Sequence, residues 1–417
     1  MGNKFGRLLS NFSSLSGVQF ANLILPFVYL PYVARVLGIE NFGIADYALS
    51  FSVYFNSLVS YGFDYSASKA ISQASNNEDR NNIFNKVINT KLFLFIVFGA
   101  IYFFLVQVVP SFKAESKVFH LAFIGCTASL LSPWFFLQGV ERIKLIAKIN
   151  FVVKLLATGI VFLLIKKPED YPMLVIVNTL PQLVLSIFIM YWIVATYKFK
   201  LKRASLKSII RALKKNFYIF GNEFSTLVLV NSILLVMGFV VSKKELGAYT
   251  SAYRIISSMQ LLLVAPFVKS GLPFFSKLYS NSRQMFYRDL KKVGSIYCIT
   301  VFLCCTLVFV FSKEIVFILF GKSYFQAYYI LRIMCYTPFF LSISAVYGWI
   351  GIHILGAENR LFLTTTSIGT LGILGAILFR NHLNVSHFAF IRISTELCIS
   401  LMVSLIFFNL AKRRKKQ

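Results

Sequence analysis

Residues 30–51 read LPYVARVLGIENFGIADYALSF: the end of one apolar helix, a tight polar corner from Gly38 to Gly43, and the start of a second helix. Arg35, Glu40 and Asp46 cluster at that corner. A related pattern returns about 204 positions later, where Lys244-Glu-Leu-Gly-Ala-Tyr-Thr-Ser-Ala-Tyr lies beside Asn41-Phe-Gly-Ile-Ala-Asp-Tyr-Ala, with Gly43 over Gly247. Each copy follows a first apolar helix and opens a second one. The chain therefore reads as two similar halves.

The corner is one of many polar breaks in a very apolar chain. Of 417 residues, 57% are hydrophobic and 14% charged, where a soluble domain carries nearer a quarter charged residues. Runs of about 20 apolar residues recur, each long enough to cross a bilayer core of about 30 Å as a helix. The spacing predicts twelve transmembrane helices, near 9–34, 42–70, 87–109, 117–138, 146–165, 172–196, 213–241, 247–273, 289–311, 325–354, 361–379 and 386–410. The expected fold class is an all-α polytopic membrane protein, because lipid leaves backbone polar groups no partners outside a helix or a closed barrel. The expected organisation is an N-terminal lobe over 1–196, a basic cytoplasmic linker over 197–212, and a C-terminal lobe over 213–417. Prolines 26, 31, 133, 181, 266, 273 and 338 fall inside the apolar runs and predict kinked helices around a cavity.

A net charge of +28 invites a nucleic-acid reading, but most of the excess lies in loops. With both termini inside, 28 Lys and Arg fall on the cytoplasmic side and 10 on the other. Lys69, Arg80, Lys86 and Lys91 are assigned here to one cytoplasmic segment. The asymmetry follows the positive-inside rule and sets the orientation. No nucleic acid is implied, and the basic linker and the C-terminal KRRKK are expected to lie against anionic lipid headgroups. The six cysteines lack metal-ligand or disulfide-framework spacing. No GxxxxGK[ST] loop is present to hydrolyse ATP, and no loop is long enough for a folded outer catalytic domain of the kind expected of a membrane polymerase or ligase.

Five bases fall inside predicted helices: Lys154, Arg254, Lys269, Arg332 and Arg392. Four acids join them: Asp46, Asp64, Glu223 and Glu396. An ionised side chain near mid-membrane costs at least about 2.5–3.5 kcal/mol, so such groups line water, pair, or bind something charged. Local explanations exist for some. Lys269 can snorkel, Arg392 and Glu396 are four apart and can neutralise each other, and Asp46 lies near Arg35. Lys154, Arg254 and Arg332 each sit about seven or more residues inside a predicted helix, roughly 10 Å from its end. Asp46 and Asp64 are 18 apart, which on one continuous helix places them on one face. Asn150, Lys154 and Thr158 share a face of the fifth helix. Asn11, Gln19 and Asn22 on the first, and Asn222, Glu223 and Asn231 on the seventh, extend the polar lining. Buried bases suit an anionic passenger, and an arginine fork suits diphosphate. Carboxylates held away from bulk water, Asp64 and Glu223 above all, are candidates to carry a coupling H+ or Na+. No other cofactor is expected.

The two halves, the 30–51 corner and the following YGFDYSASKAISQ (Tyr61–Gln73) resemble the Wzx family of O-antigen flippases, polysaccharide transporters of the MOP superfamily, which also holds the MATE drug exporters and the MurJ lipid II flippases. The resemblance implies a V-shaped pair of six-helix lobes in a bacterial inner membrane. A cationic cavity between them would accept the headgroup of an undecaprenyl-diphosphate-linked oligosaccharide. Arg254, Lys154, Arg332, Arg392, Lys269 and Arg35 are the candidate substrate-binding residues; Asp64, Glu223, Asp46 and Glu396 are the candidate ion-coupling residues. Membrane lipids, a polysaccharide polymerase and a chain-length regulator would be partners. MurJ-like proteins add two helices for which this chain has no room. A cation antiporter on the same scaffold is the alternative, against which the five buried bases and four acids argue.

Overall fold

The computed structural model describes residues 2–415, without the side chains of 2–24, 26–27, 143–147, 222, 226, 229–230, 381 and 414–415. Among the described residues every regular element is helical. Among the described residues eight segments are long and apolar enough to cross a membrane: Asn77–Val108, Ser116–Gly139, Pro168–Tyr197, Lys243–Asn281, Arg283–Val310, Lys322–Ile352, Glu358–Leu378 and Val385–Arg413. Large apolar side chains stand exposed along them, among them Phe104, Leu303, Leu371 and Leu378. An apolar exterior of this extent needs lipid rather than water around it. The chain divides into two compact units, Met1–Val228 and Leu229–Gln417.

In the first unit, α1 (Gly2–Ser60) is one long helix bent at Gly38, whose φ of 74° and ψ of 169° interrupt it. The expected corner is therefore a bend at a single residue, in a backbone region that only glycine enters readily. Tyr61 and Gly62, both at positive φ, then end α1, and α2 (Phe63–Ser72) leaves in a new direction. The sequence pattern over 42–70 reads as continuous because apolar residues run through the break. α3 (Asn77–Val108) starts ten residues earlier than its apolar run, capped by Asn76, whose side chain accepts from Asp79 N at 2.8 Å. The expected helix over 117–138 is three short pieces, α4 (Ser116–Ala122), α5 (Ile124–Leu131) and α6 (Trp134–Gly139), with Pro133 between the last two. α7 (Ile143–Leu164), α8 (Tyr171–Tyr197) and α9 (Leu206–Met237) follow.

Polar ties gather alternate loops at opposite ends of this unit. At one end Asn41 donates to Pro168 O (2.9 Å), Tyr32 to Ile165 O (2.6 Å), and Tyr171 to Glu115 Oε2 (2.8 Å). At the other end Asn77 donates to Tyr197 O, Asn85 to Lys200 O and Asn89 to Lys202 O. These asparagines fasten the start of the basic 197–212 segment onto α3, and its remainder is already helix α9. Sequence alone placed that segment only against headgroups. An irregular backbone needs hydrogen-bond partners, and the α3 side chains supply them. Beneath this end lies an aromatic core of Phe84, Phe135, Phe136 and Phe199.

The second unit takes in the end of α9 from Leu229 and continues with α10 (Lys243–Met259), capped reciprocally by Ser242 and Glu245. A π-helical turn, Gln260–Val264, leads into α11 (Ala265–Asn281), with Pro266 in its first turn. α12 (Arg283–Val310), α13 (Ser312–Phe320), α14 (Phe325–Met334) and α15 (Thr337–Ser344) come next, then a second π-helical stretch, Ala345–Ile352, and α16 (Glu358–Leu378) and α17 (Val385–Lys415). The core here is Phe275, Phe286, Leu290, Val346, Ile350 and Phe407.

In the first unit α9 packs on the α1–α2 break. Asn216 Nδ2 donates to Tyr61 O, and the Tyr61 ring stacks on Phe220 at 4.2 Å. A Cβ on Gly62 would lie 3.1 Å from Ile219, 3.2 Å from Phe220 N and 3.2 Å from Glu223 Oε2. Gly62→Ala is thus expected to cost about 1–2 kcal/mol from the left-handed backbone alone, and more from the contact with Phe220. Thermal unfolding in detergent should show a lowered midpoint. An unchanged midpoint would mean that α9 does not seat on this break.

Candidate functional site

The break at Gly62 sets the site. It aims Asp64, in the first turn of α2, back into the unit, where a continuous helix would have kept it on the Asp46 face. The expected shared face of Asp46 and Asp64 is therefore absent. Asp46 is buried within α1, and Asp64 lines a cavity of ≈ 270 Å³ with Asn56, Ser132, Asn150, Lys154 and Gln182. A second cavity of ≈ 150 Å³ shares Asn150, Lys154 and Gln182 and reaches Tyr29, Thr158 and Asn178. Tyr29 donates to Asn178 Oδ1 at 3.3 Å on that side. Lys154 is common to both, so the predicted stripe of Asn150, Lys154 and Thr158 does face an internal polar space.

Lys91 is the residue that sequence reading misplaced. Counted with a cytoplasmic segment although the expected helix over 87–109 takes it in, it lies well within α3, with a side chain 1% exposed. Its ammonium donates to Ser132 O at 3.1 Å and Ser129 O at 3.4 Å, stands 4.0 Å from Asp64 Oδ1, and faces the Phe135 ring at 5.7 Å. Those carbonyls belong to the C-terminal end of α5, which Pro133 leaves without following amide donors. A signal was present in Asn81, Asn85 and Asn89, spaced four apart ahead of the apolar stretch, which marks a helix face running back before residue 87.

Three cavity-lining atoms, Asn56 Oδ1, Asp64 Oδ1 and Ser132 Oγ, are buried without a hydrogen-bond partner. Lys154 is half-buried and has no carboxylate within ion-pair distance among the described residues. Glu223 lies against Gly62 on α9, within electrostatic reach of Asp64, and does not line the cavity.

The other sequence candidates do not join this group. Arg392 and Glu396 on α17 form a buried pair at 3.0 Å, beside Tyr249 and Tyr253 of α10. Arg254 is half-buried, within electrostatic reach of Tyr324. Arg332 is exposed and lies over the Phe309 ring at 4.5 Å. Phe309 is in the last turn of α12, so Arg332 sits near a helix end rather than at depth, because its helix breaks at Cys335–Tyr336. Lys269 is exposed at the rim of an apolar groove with Leu261, Val268 and Trp349. Arg35 is exposed beside the Gly38 bend. The side chains of Asn11, Gln19, Asn22 and Asn222 lie outside the described residues.

Apolar spans around a polar internal space carrying unpaired charge define a multi-pass membrane protein of the transporter kind. The fold is similar to that of "Lipid II flippase MurJ, inward closed conformation" (TM-score 0.78, 14% identity, over 95% of this chain and 89% of that one). It also matches an inward-facing multidrug resistance MATE family transporter of the MOP superfamily (TM-score 0.69, 13% identity, over 94% and 96%). The sequence profile of the polysaccharide biosynthesis protein family covers residues 8–279, and the chain belongs to that family. A relative from Escherichia coli (strain K12), named "Putative O-antigen transporter", is 25% identical over 344 residues, 82% of each chain.

The Arg392–Glu396 geometry makes a stability prediction. Removing one partner of a buried pair costs about 3–5 kcal/mol, whereas replacing both with apolar residues is often neutral. Arg392→Met should lower folded yield and melting temperature sharply, and Arg392→Met/Glu396→Met should recover most of both. If the double variant melts as low as the single one, the pair is not what holds α17 to α10.

Proposed function

We propose that the protein is a flippase. It carries an undecaprenyl-diphosphate-linked oligosaccharide repeat unit from the cytoplasmic to the periplasmic leaflet of a bacterial inner membrane by alternating access. The observation that carries this reading is Lys154, which lines two adjoining polar cavities and has no carboxylate within ion-pair distance among the described residues. A base kept at depth in a membrane protein needs a counter-charge, and a passing anionic group supplies one. Family membership and the relative's name support a saccharide cargo. The likeness to the lipid II flippase supports a lipid-linked one.

The eight apolar segments become twelve spans when α1, bent at Gly38, is counted as two and α7 and α9 are added. An even count returns both termini to one side, and the excess of Lys and Arg makes that side cytoplasmic. Lys154 and Arg254 meet the anionic headgroup. Asp64 and Glu223 carry the coupling H+ or Na+, and no further cofactor takes part. A polymerase and a chain-length regulator act on the delivered unit.

In a strain lacking its own flippase, Lys154→Ala should reduce surface polysaccharide by about tenfold or more, since a charged hydrogen bond contributes about 1.5–3 kcal/mol. Lys154→Arg should retain most of it. Full polysaccharide with Lys154→Ala at normal protein abundance would overturn the assignment. Drug resistance conferred on a pump-deficient host, without polysaccharide rescue, would mark a cation antiporter instead.

A further inference from the structure

The ≈ 270 Å³ cavity of the first unit has a lining chemistry more specific than a positive charge. Three oxygens of its wall, Asn56 Oδ1, Asp64 Oδ1 and Ser132 Oγ, are buried without a hydrogen bond. Buried polar groups left this way cost about 1–3 kcal/mol each, so three around one space point to donors that arrive from outside. The amides of Asn150 and Gln182 can both donate and accept, and the Trp134 ring forms part of the same wall. One ammonium, Lys154, is unmatched, whereas Asp64 already has Lys91 behind it at 4.0 Å.

A diphosphate fits this wall poorly. It offers acceptors only, and its charge would meet the Asp64 carboxylate with Lys154 as the one ammonium left to balance it. A free metal cation fits poorly as well, because the Lys91 ammonium already occupies the Ser129 and Ser132 carbonyls where such an ion would seat. Hydroxyl groups are donors and acceptors at once, and a sugar ring presents several on a rigid frame with an apolar face for an indole. The volume admits one ring, not a repeat unit with its lipid carrier.

We infer that this cavity is a subsite for one sugar ring bearing a single acidic substituent, with the ring hydroxyls on Asn56, Asp64 and Ser132 and the acidic group on Lys154. The inference rests on the flippase reading and moves Lys154 from the diphosphate to the saccharide. The diphosphate must then be met by bases outside this cavity.

The test uses the full chain in detergent as a Trp192→Phe/Trp349→Phe variant, which leaves Trp134 as the only tryptophan of the three. Titrated with glucuronate and with glucose, Trp134 fluorescence should saturate with both, and glucuronate should bind about tenfold more tightly. Lys154→Gln should erase the preference for the acid while keeping the response to glucose. Asn56→Ala should weaken both sugars. Each variant must elute as a monodisperse peak, so that loss of response is not loss of fold. No saturable response, equal affinities, or a preference that survives Lys154→Gln would overturn the subsite. Reconstituted wild-type protein separates this from the function itself. Vesicles that flip a lipid-linked saccharide although the cavity ignores free sugars sink the subsite and leave the flippase. Sugar binding without flipping keeps the subsite and removes the flippase.

Discussion

The ammonium of Lys91, donating to the carbonyls of Ser129 and Ser132, is the contact on which the first unit's interior depends. A helix that ends inside a membrane protein leaves carbonyl oxygens with no water to turn to. Pro133 creates such an end on α5, and a tethered cation from α3 satisfies it. The same cation stands beside the buried Oδ1 of the partly exposed Asp64, so one group answers both the broken helix and that oxygen. Because Lys91 is spent there, Lys154 is left as the unmatched charge of the cavity. The polar space is thus a consequence of how two helix breaks are compensated.

Those breaks recur along the chain. Gly62 ends α1 in the first unit; Pro266, about 204 positions on, follows the π-helical turn that interrupts the corresponding pair α10 and α11. Pro133 separates α5 from α6, and Pro338 begins α15 after a break at Cys335–Tyr336. The repeat visible at Gly43 and Gly247 therefore extends to where each helix stops, although the devices differ. A positive φ suits Gly62, where α9 presses close. A π turn does the same work in the second unit without a glycine. Both interrupt a membrane helix, the first beside a polar cavity and the second beside an apolar groove.

The helical fold and most spans were legible because hydrophobic runs of span length leave few alternatives. What was not legible was where a run breaks while remaining apolar. Tyr61 and Gly62 sit in a stretch that scores as one helix, and missing that break placed Asp64 on the wrong face. The converse error hid Lys91. Its helix begins at Asn77, in polar sequence fixed by the Asn76 cap and by asparagines that hold the Lys200–Lys202 backbone. Apolarity marks where lipid touches a helix, not where the helix starts. Lys154 was legible because the 3.6-residue period placed it with Asn150 and Thr158 on one face of a helix that the structure retains.

The two units spend their buried charges differently. In the second, Glu396 is closed by Arg392 at 3.0 Å, and that guanidinium also faces two tyrosines. That pair is closed at hydrogen-bond distance, although Arg392 Nε stays without a partner, and opening it exposes two charges at once to a low-dielectric interior. In the first, Asp64 meets Lys91 only at 4.0 Å, keeps one buried oxygen without a hydrogen bond, and has a second carboxylate, Glu223, within electrostatic reach. That arrangement is incomplete by one donor. Adding a proton or a hydroxyl there satisfies an existing vacancy, whereas adding either to the Arg392 pair breaks a bond already made. Exchange of ions or ligands is therefore far less costly in the first unit than in the second, and a transport cycle acting on both units would do its binding chemistry where the charges are left unfinished.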